Sequence, residues 1–193
     1  MRPGPPSASE DLGAFFRACA DPRTAHRLAE AVRPPGAYAH TRGVAQQAAR
    51  LVHDAGIEPP ARRRILAAAW LHDLGLAADG VRGTARAVRR AGHEELARIV
   101  AHQVGAEVEG DGPAAEFPRP AGASRRALAA LDIAIVTTDQ TGGRVTPREG
   151  VAAVAAARGA GDPRVRALVV RIAELAQSPE AQAWMRAASP AAA

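Results

Sequence analysis

A chain of 193 residues with 47% hydrophobic but only 3% aromatic content is long enough for one sizeable core and short for two domains with a linker, and that core must come from Leu, Val, Ile and Ala. The formal charge of +5 arises from 25 basic residues that are all Arg; they are scattered and lack interleaved aromatic residues, which excludes a nucleic-acid stacking platform and traces the basicity to a compositional bias toward Arg, Ala, Gly and Pro. The lone Cys19 excludes an intramolecular disulfide, and no apolar run suits a signal peptide or a membrane span, so the expected location is the cytoplasm.

Residues 1–9, rich in Pro, Ser and Gly, read as a disordered tail, and 10–190 as a single helical domain. Ala makes up about a quarter of the chain and no stretch alternates in the β manner, so the expected fold class is all-α. Helical patterning runs over about 10–31, broken by Pro34-Pro35; 37–54, stopped by Gly56 and Pro59-Pro60; and 61–76, stopped around Gly75. A glycine-punctuated loop at 79–83 precedes short helices near 84–91 and 94–103, split by Gly92. The stretch from Gly105 to Gly122 is irregular and long enough for a lid. A helix over about 124–138 follows, with Ser124 as its cap. Thr146-Pro147-Arg148-Glu149 has capping-box spacing and starts a helix to about 157. Asp162-Pro163 opens the last long helix, with Val165, Leu168, Val169, Ile172 and Leu175 on one stripe.

The segment Ile65–Gly75, ending Trp70-Leu71-His72-Asp73-Leu74-Gly75, carries the most chemistry. On a helix His72 shares a stripe with Ile65 and Ala69, and Asp73 with Leu66 and Trp70, so both polar side chains enter apolar surroundings. A buried carboxylate needs compensation, by a metal ion, by an Arg partner or within a His-Asp pair. Upstream, His40, Val44, Ala48 and Leu51 lie on one face of the preceding helix. A short turn joins the two helices, so antiparallel packing brings the start of the first to the end of the second, where these residues sit. Two neutral imidazoles and a carboxylate suit a divalent transition metal such as Fe, Mn, Co, Ni or Zn.

A His early in one helix, followed about thirty residues later by an apolar helix ending His-Asp-Leu-Gly, resembles the HD-domain superfamily, whose signature is His, His-Asp and a later Asp. Gly92–His102 resembles the segment that supplies a further active-site His, and Thr137-Thr138 through Thr146 resembles the stretch after the last ligand; the likeness covers about 37–157. The resemblance implies an HD-like helical bundle around a divalent metal that activates water for attack on a phosphate ester of a small molecule or nucleotide. It implies His40, His72 and Asp73 as metal ligands, Asp73 and His102 as catalytic groups, and a small phosphorylated substrate.

The sequence departs from the resemblance at Ile135, where relatives carry the last Asp ligand. Asp132 and Asp139 lie one helical turn to either side. Asp132 is expected to supply the substitute ligand, against a competing account in which it is a buried carboxylate paired with Arg; Asp139 has the competing account of a turn residue. Gly80–Thr84 also lacks a His that relatives often have there, which argues for one metal rather than two. Arg42 and Arg82 are candidate phosphate contacts. The alternative function is a catalytically inactive HD-like fold that binds a small ligand or a protein.

Overall fold

The computed structural model describes residues 8–75, 80–106 and 116–190. Most of the expected tail, residues 1–7, and the middle of the expected lid, 107–115, lie outside these. The described chain is all-α.

Helices α1 (Ala8–Ala18) and α2 (Pro22–Val32) replace the single helix expected over 10–31. The side chain of Asp21 accepts from the backbone N–H of Thr24 at 3.0 Å and Pro22 takes the first turn, so the chain stops and restarts at a cap. Two further Pro-initiated helices follow, α3 (Pro35–Asp54) and α4 (Pro59–Leu71). Helix α5 (Gly80–Arg90) covers most of the loop expected at 79–83. Its buried Val81, Thr84, Ala85 and Val88 form one stripe, and burial of that stripe outweighs the poor helix propensity of two glycines. Gly92, at φ 91°, turns the chain into α6 (Glu94–Ala101).

Helix α7 (Gly122–Val136) is the axis of the bundle. Ala127, Ala130, Leu131, Ile133 and Ala134 are fully buried, and Ala67, Ala68 and Ala69 of α4 are fully buried opposite. Small side chains let these helices approach closely. Large ones fill the gaps: Leu28, Ile65, Leu71, Ile99 and Leu131 each contribute about 1.5–3 kcal/mol by leaving water. A turn after α7 is closed by an antiparallel bridge between Thr138 and Arg144. It packs backbone to backbone on α3, where a Cβ at Gly43 would lie 2.4 Å from the Cα of Gly142.

Thr146 and Glu149 complete the expected capping box of α8 (Pro147–Arg158). Asp162 caps α9 (Pro163–Leu175). A shorter helix that was not expected, α10 (Pro179–Ala188), follows, capped by Ser178 with Pro179 at its start. The α10 C-terminus is tied to the body, since the amide of Gln47 donates to the carbonyl of Ala188 at 2.5 Å and Arg144 donates to the carbonyls of Ala187, Ala188 and Ser189. No helix among the described residues is long and apolar enough to cross a membrane.

Candidate metal centre

His40 sits on the buried face of α3, and Nδ1 of its ring donates to the carbonyl of Asp139 at 2.8 Å. His72 follows the last residue of α4, and its Nδ1 donates to the carbonyl of Ala69 at 2.8 Å. A carbonyl can only accept, so in each neutral ring Nδ1 carries the proton and Nε2 the lone pair. The two rings meet edge to face with centroids 5.5 Å apart. Burial, reinforced by the neighbouring His40, pushes the His72 pKa down to about 4, against smaller upward pulls from Asp73 and the Ala69 bond.

Asp73, in the turn after α4, lines the same cavity as both rings. Its Oδ2 accepts from Nη2 of Arg33, at the C-terminus of α2, at 2.5 Å. The cavity encloses about 190 Å³ and is also lined by Gln103, Ile135 and Gln140, and by Arg158 and Arg164 from the facing ends of α8 and α9. Among the described residues three buried side-chain atoms lack a hydrogen-bond partner: Arg33 Nε, His72 Nε2 and Gln103 Oε1. All three belong to one constellation, because Arg33 pairs with Asp73 and the amide nitrogen of Gln103 donates to the carbonyl of His72.

The other expected residues lie elsewhere. Asp132, expected as the substitute ligand, is fully buried and does not line the cavity. Its Oδ1 accepts from the N–H of Val104 at 2.7 Å and its Oδ2 from Nε of Arg171 at 2.6 Å, so the competing account of a carboxylate paired with Arg describes its position. Asp139 accepts from the N–H groups of Thr141 and Gly143 and from the Thr141 hydroxyl. Burial raises its pKa, but those donors together outweigh it and hold the carboxyl below the usual range. Asp139 is thus a turn residue, as its competing account has it. His102 is turned away, its Nε2 donating to the carbonyl of Phe117 at 2.7 Å, and it is the next residue, Gln103, that faces the cavity.

Neither Arg42 nor Arg82 lines the cavity, whereas Arg158 and Arg164 do. Nothing in the sequence distinguishes these two arginines among 25. Gln103 was missed because it carries no charge; its adjacency to His102 was the one available signal. Part of the expected lid is core: Phe117 is fully buried beneath the guanidinium of Arg89, 4.5 Å from its ring centroid, and Glu116 pairs with Arg86 and Arg89.

No three His, Cys, Asp or Glu side chains among the described residues are drawn together as a ready metal cluster. The chemistry of the donors nonetheless suits an ion. Two imidazoles with tautomers fixed by backbone carbonyls, one with an unpartnered buried lone pair, are how proteins present His to a borderline divalent metal, and Asp73 adds a carboxylate.

Residues 37–131 match the HD domain family. No curated protein and no solved structure matches the chain. The matched span takes in His40 on α3, His72 and Asp73 after α4, helices α5 and α6, and α7 as far as residue 131, and the chain belongs to the HD-domain superfamily.

Proposed function

We propose that the chain is a metal-dependent phosphohydrolase acting on a small phosphorylated molecule, with one divalent transition metal held by His40, His72 and Asp73. The observation that supports this best is that, among the described residues, two unpartnered buried acceptors, His72 Nε2 and Gln103 Oε1, belong to side chains lining one cavity with His40 and Asp73. Leaving such an atom unpaired costs about 1–3 kcal/mol, and a functional centre is where that cost is ordinarily tolerated. A bound divalent ion would lower the pKa of its water and offset charge on phosphoryl oxygens. Arg158 and Arg164 are suited to hold those oxygens, and Val81 and Ile135 give the cavity apolar walls. At about 190 Å³ the cavity falls below the roughly 300–1,000 Å³ that encloses a drug-sized ligand, which favours a substrate whose phosphoryl end alone enters.

A second reading has its own support. Ile135 lines the cavity where the resemblance calls for a carboxylate, and Asp132 is held by Arg171. Both are consistent with an inactive ligand-binding module. The two readings separate in an assay of small phosphate monoesters with Fe, Mn, Co, Ni or Zn supplied. Hydrolysis by the wild type, abolished in His72→Ala and shifted to higher KM in Arg158→Ala, is the expected result. Binding of the esters without turnover in any metal would establish the module instead.

A further inference from the structure

The amide oxygen of Gln103 has no role in the site as described above, yet its orientation is fixed by chemistry. Gln103 is 3% exposed, follows α6, and lines the cavity with His40 and His72. Its side-chain nitrogen donates to the carbonyl of His72. That carbonyl has no proton to give, so the amide cannot be flipped, and Oε1 must be the other end of the group. Oε1 is buried and has no partner. His72 Nε2, with its lone pair fixed by the Ala69 bond, is buried and unpartnered too.

Two acceptors cannot satisfy one another, and Arg33 Nε–H, the unpartnered donor nearby, bonds neither of them, so what completes them is a further donor or a cation. The one acid lining the cavity, Asp73, is paired through Oδ2 with Arg33, and the acids beyond it are committed: Asp132 to Arg171 and Val104, Asp139 to its own turn. We propose that Gln103 Oε1 is an oxygen donor to the divalent ion of this site, a neutral substitute for the carboxylate that Ile135 does not supply. The proposal rests on the metal-dependent reading above. It adds a chemical consequence. With a neutral amide in place of a carboxylate the loaded site keeps one more positive charge, which weakens its hold on the ion and strengthens its attraction for a phosphoryl group.

Cobalt(II) titration of the full chain, followed by visible d–d absorption and accompanied by circular dichroism to verify folding, tests this without an activity assay. Gln103→Met keeps the volume and exchanges the amide oxygen for a soft thioether sulfur, a poor ligand for cobalt(II); Gln103→His replaces the oxygen with a ring nitrogen. The expected result is a loss of about tenfold or more in cobalt affinity for Gln103→Met. Gln103→His should restore affinity with the band moved by the stronger nitrogen ligand. Wild-type affinity and an unchanged band in Gln103→Met would overturn the assignment of Gln103 and leave the hydrolase reading standing. A wild type that takes up no cobalt would overturn both. If Gln103→Met fails to fold, Gln103→His decides: an unmoved band overturns the proposal and a moved one supports it.

Discussion

Protonating His72 in the metal-free chain places a charge on a buried ring beside a second imidazole. Its folded pKa of about 4 lies below the ordinary 6.5, so between those values the unfolded chain binds the proton more readily. The stability this residue contributes is therefore full above pH 6.5, declines as the pH falls, and is gone below pH 4, a loss of about 3 kcal/mol. Urea unfolding of metal-free protein at pH 7 and pH 4.5 should show this decline in the wild type and a flatter profile in His72→Leu. Equal slopes in the two would show that His72 is not buried neutral. At Asp132 the expectation changes from ligation to stability. Removing a fully buried carboxylate leaves Arg171 with only Glu174 as a charge partner and the Val104 N–H without an acceptor, so Asp132→Ala should cost about 1–3 kcal/mol in chemical denaturation. It should leave the metal content of folded protein at the wild-type level. Metal loss without loss of stability would return Asp132 to the ligand set.

At the scale of elements, the sequence signals that worked were those with a local cause. Pro in the first turn with Asp, Thr or Ser as cap marks α2, α8, α9 and α10, and the same signature read at 21–22 and 178–179 would have divided the first helix and found the last. Helix α5 was only partly legible because its glycines argue for a loop, while the burial that overrides them is tertiary. The contact between α3 and the turn after α7 was invisible in sequence, being made of two glycine backbones 99 residues apart. A methyl group at Gly43 must push the Gly142 turn away, and that turn carries the carbonyl that orients His40. Gly43→Ala should therefore cost about 1–3 kcal/mol by overpacking and weaken metal binding as well; wild-type stability by thermal melting would show that the turn yields freely. Helix α8 has no buried residue, whereas Ala127, Leu131 and Ile133 of α7 are wholly enclosed. Amide hydrogen exchange should accordingly open α8 well before α7, and equal protection would contradict that ordering.

For the whole molecule, the bundle serves to bring one helix start and one helix end together. Alternating apolar stripes and a short connection were enough to foresee that His40 on α3 would meet His72 after α4, and the rings do lie 5.5 Å apart. Which side chains surround them was not foreseeable, because it depends on side-chain orientation: Arg33 reaches Asp73 from α2, His102 turns into the core toward Phe117 while Gln103 faces the cavity, and the Arg that pairs with Asp132 is Arg171 from α9. Helices α8 and α9, outside the matched span of 37–131, bring Arg158 and Arg164 to the cavity. Every feature of the proposed function depends on an ion at this convergence. The most direct test is elemental analysis of purified protein after growth with, or reconstitution by, Fe, Mn, Co, Ni and Zn. The account predicts about one divalent ion per wild-type chain and none in folded His40→Ala or His72→Ala, since each change removes one of three charged or imidazole ligands. A wild type that holds no ion under any of these conditions, or histidine variants that hold it as well as wild type, would contradict it.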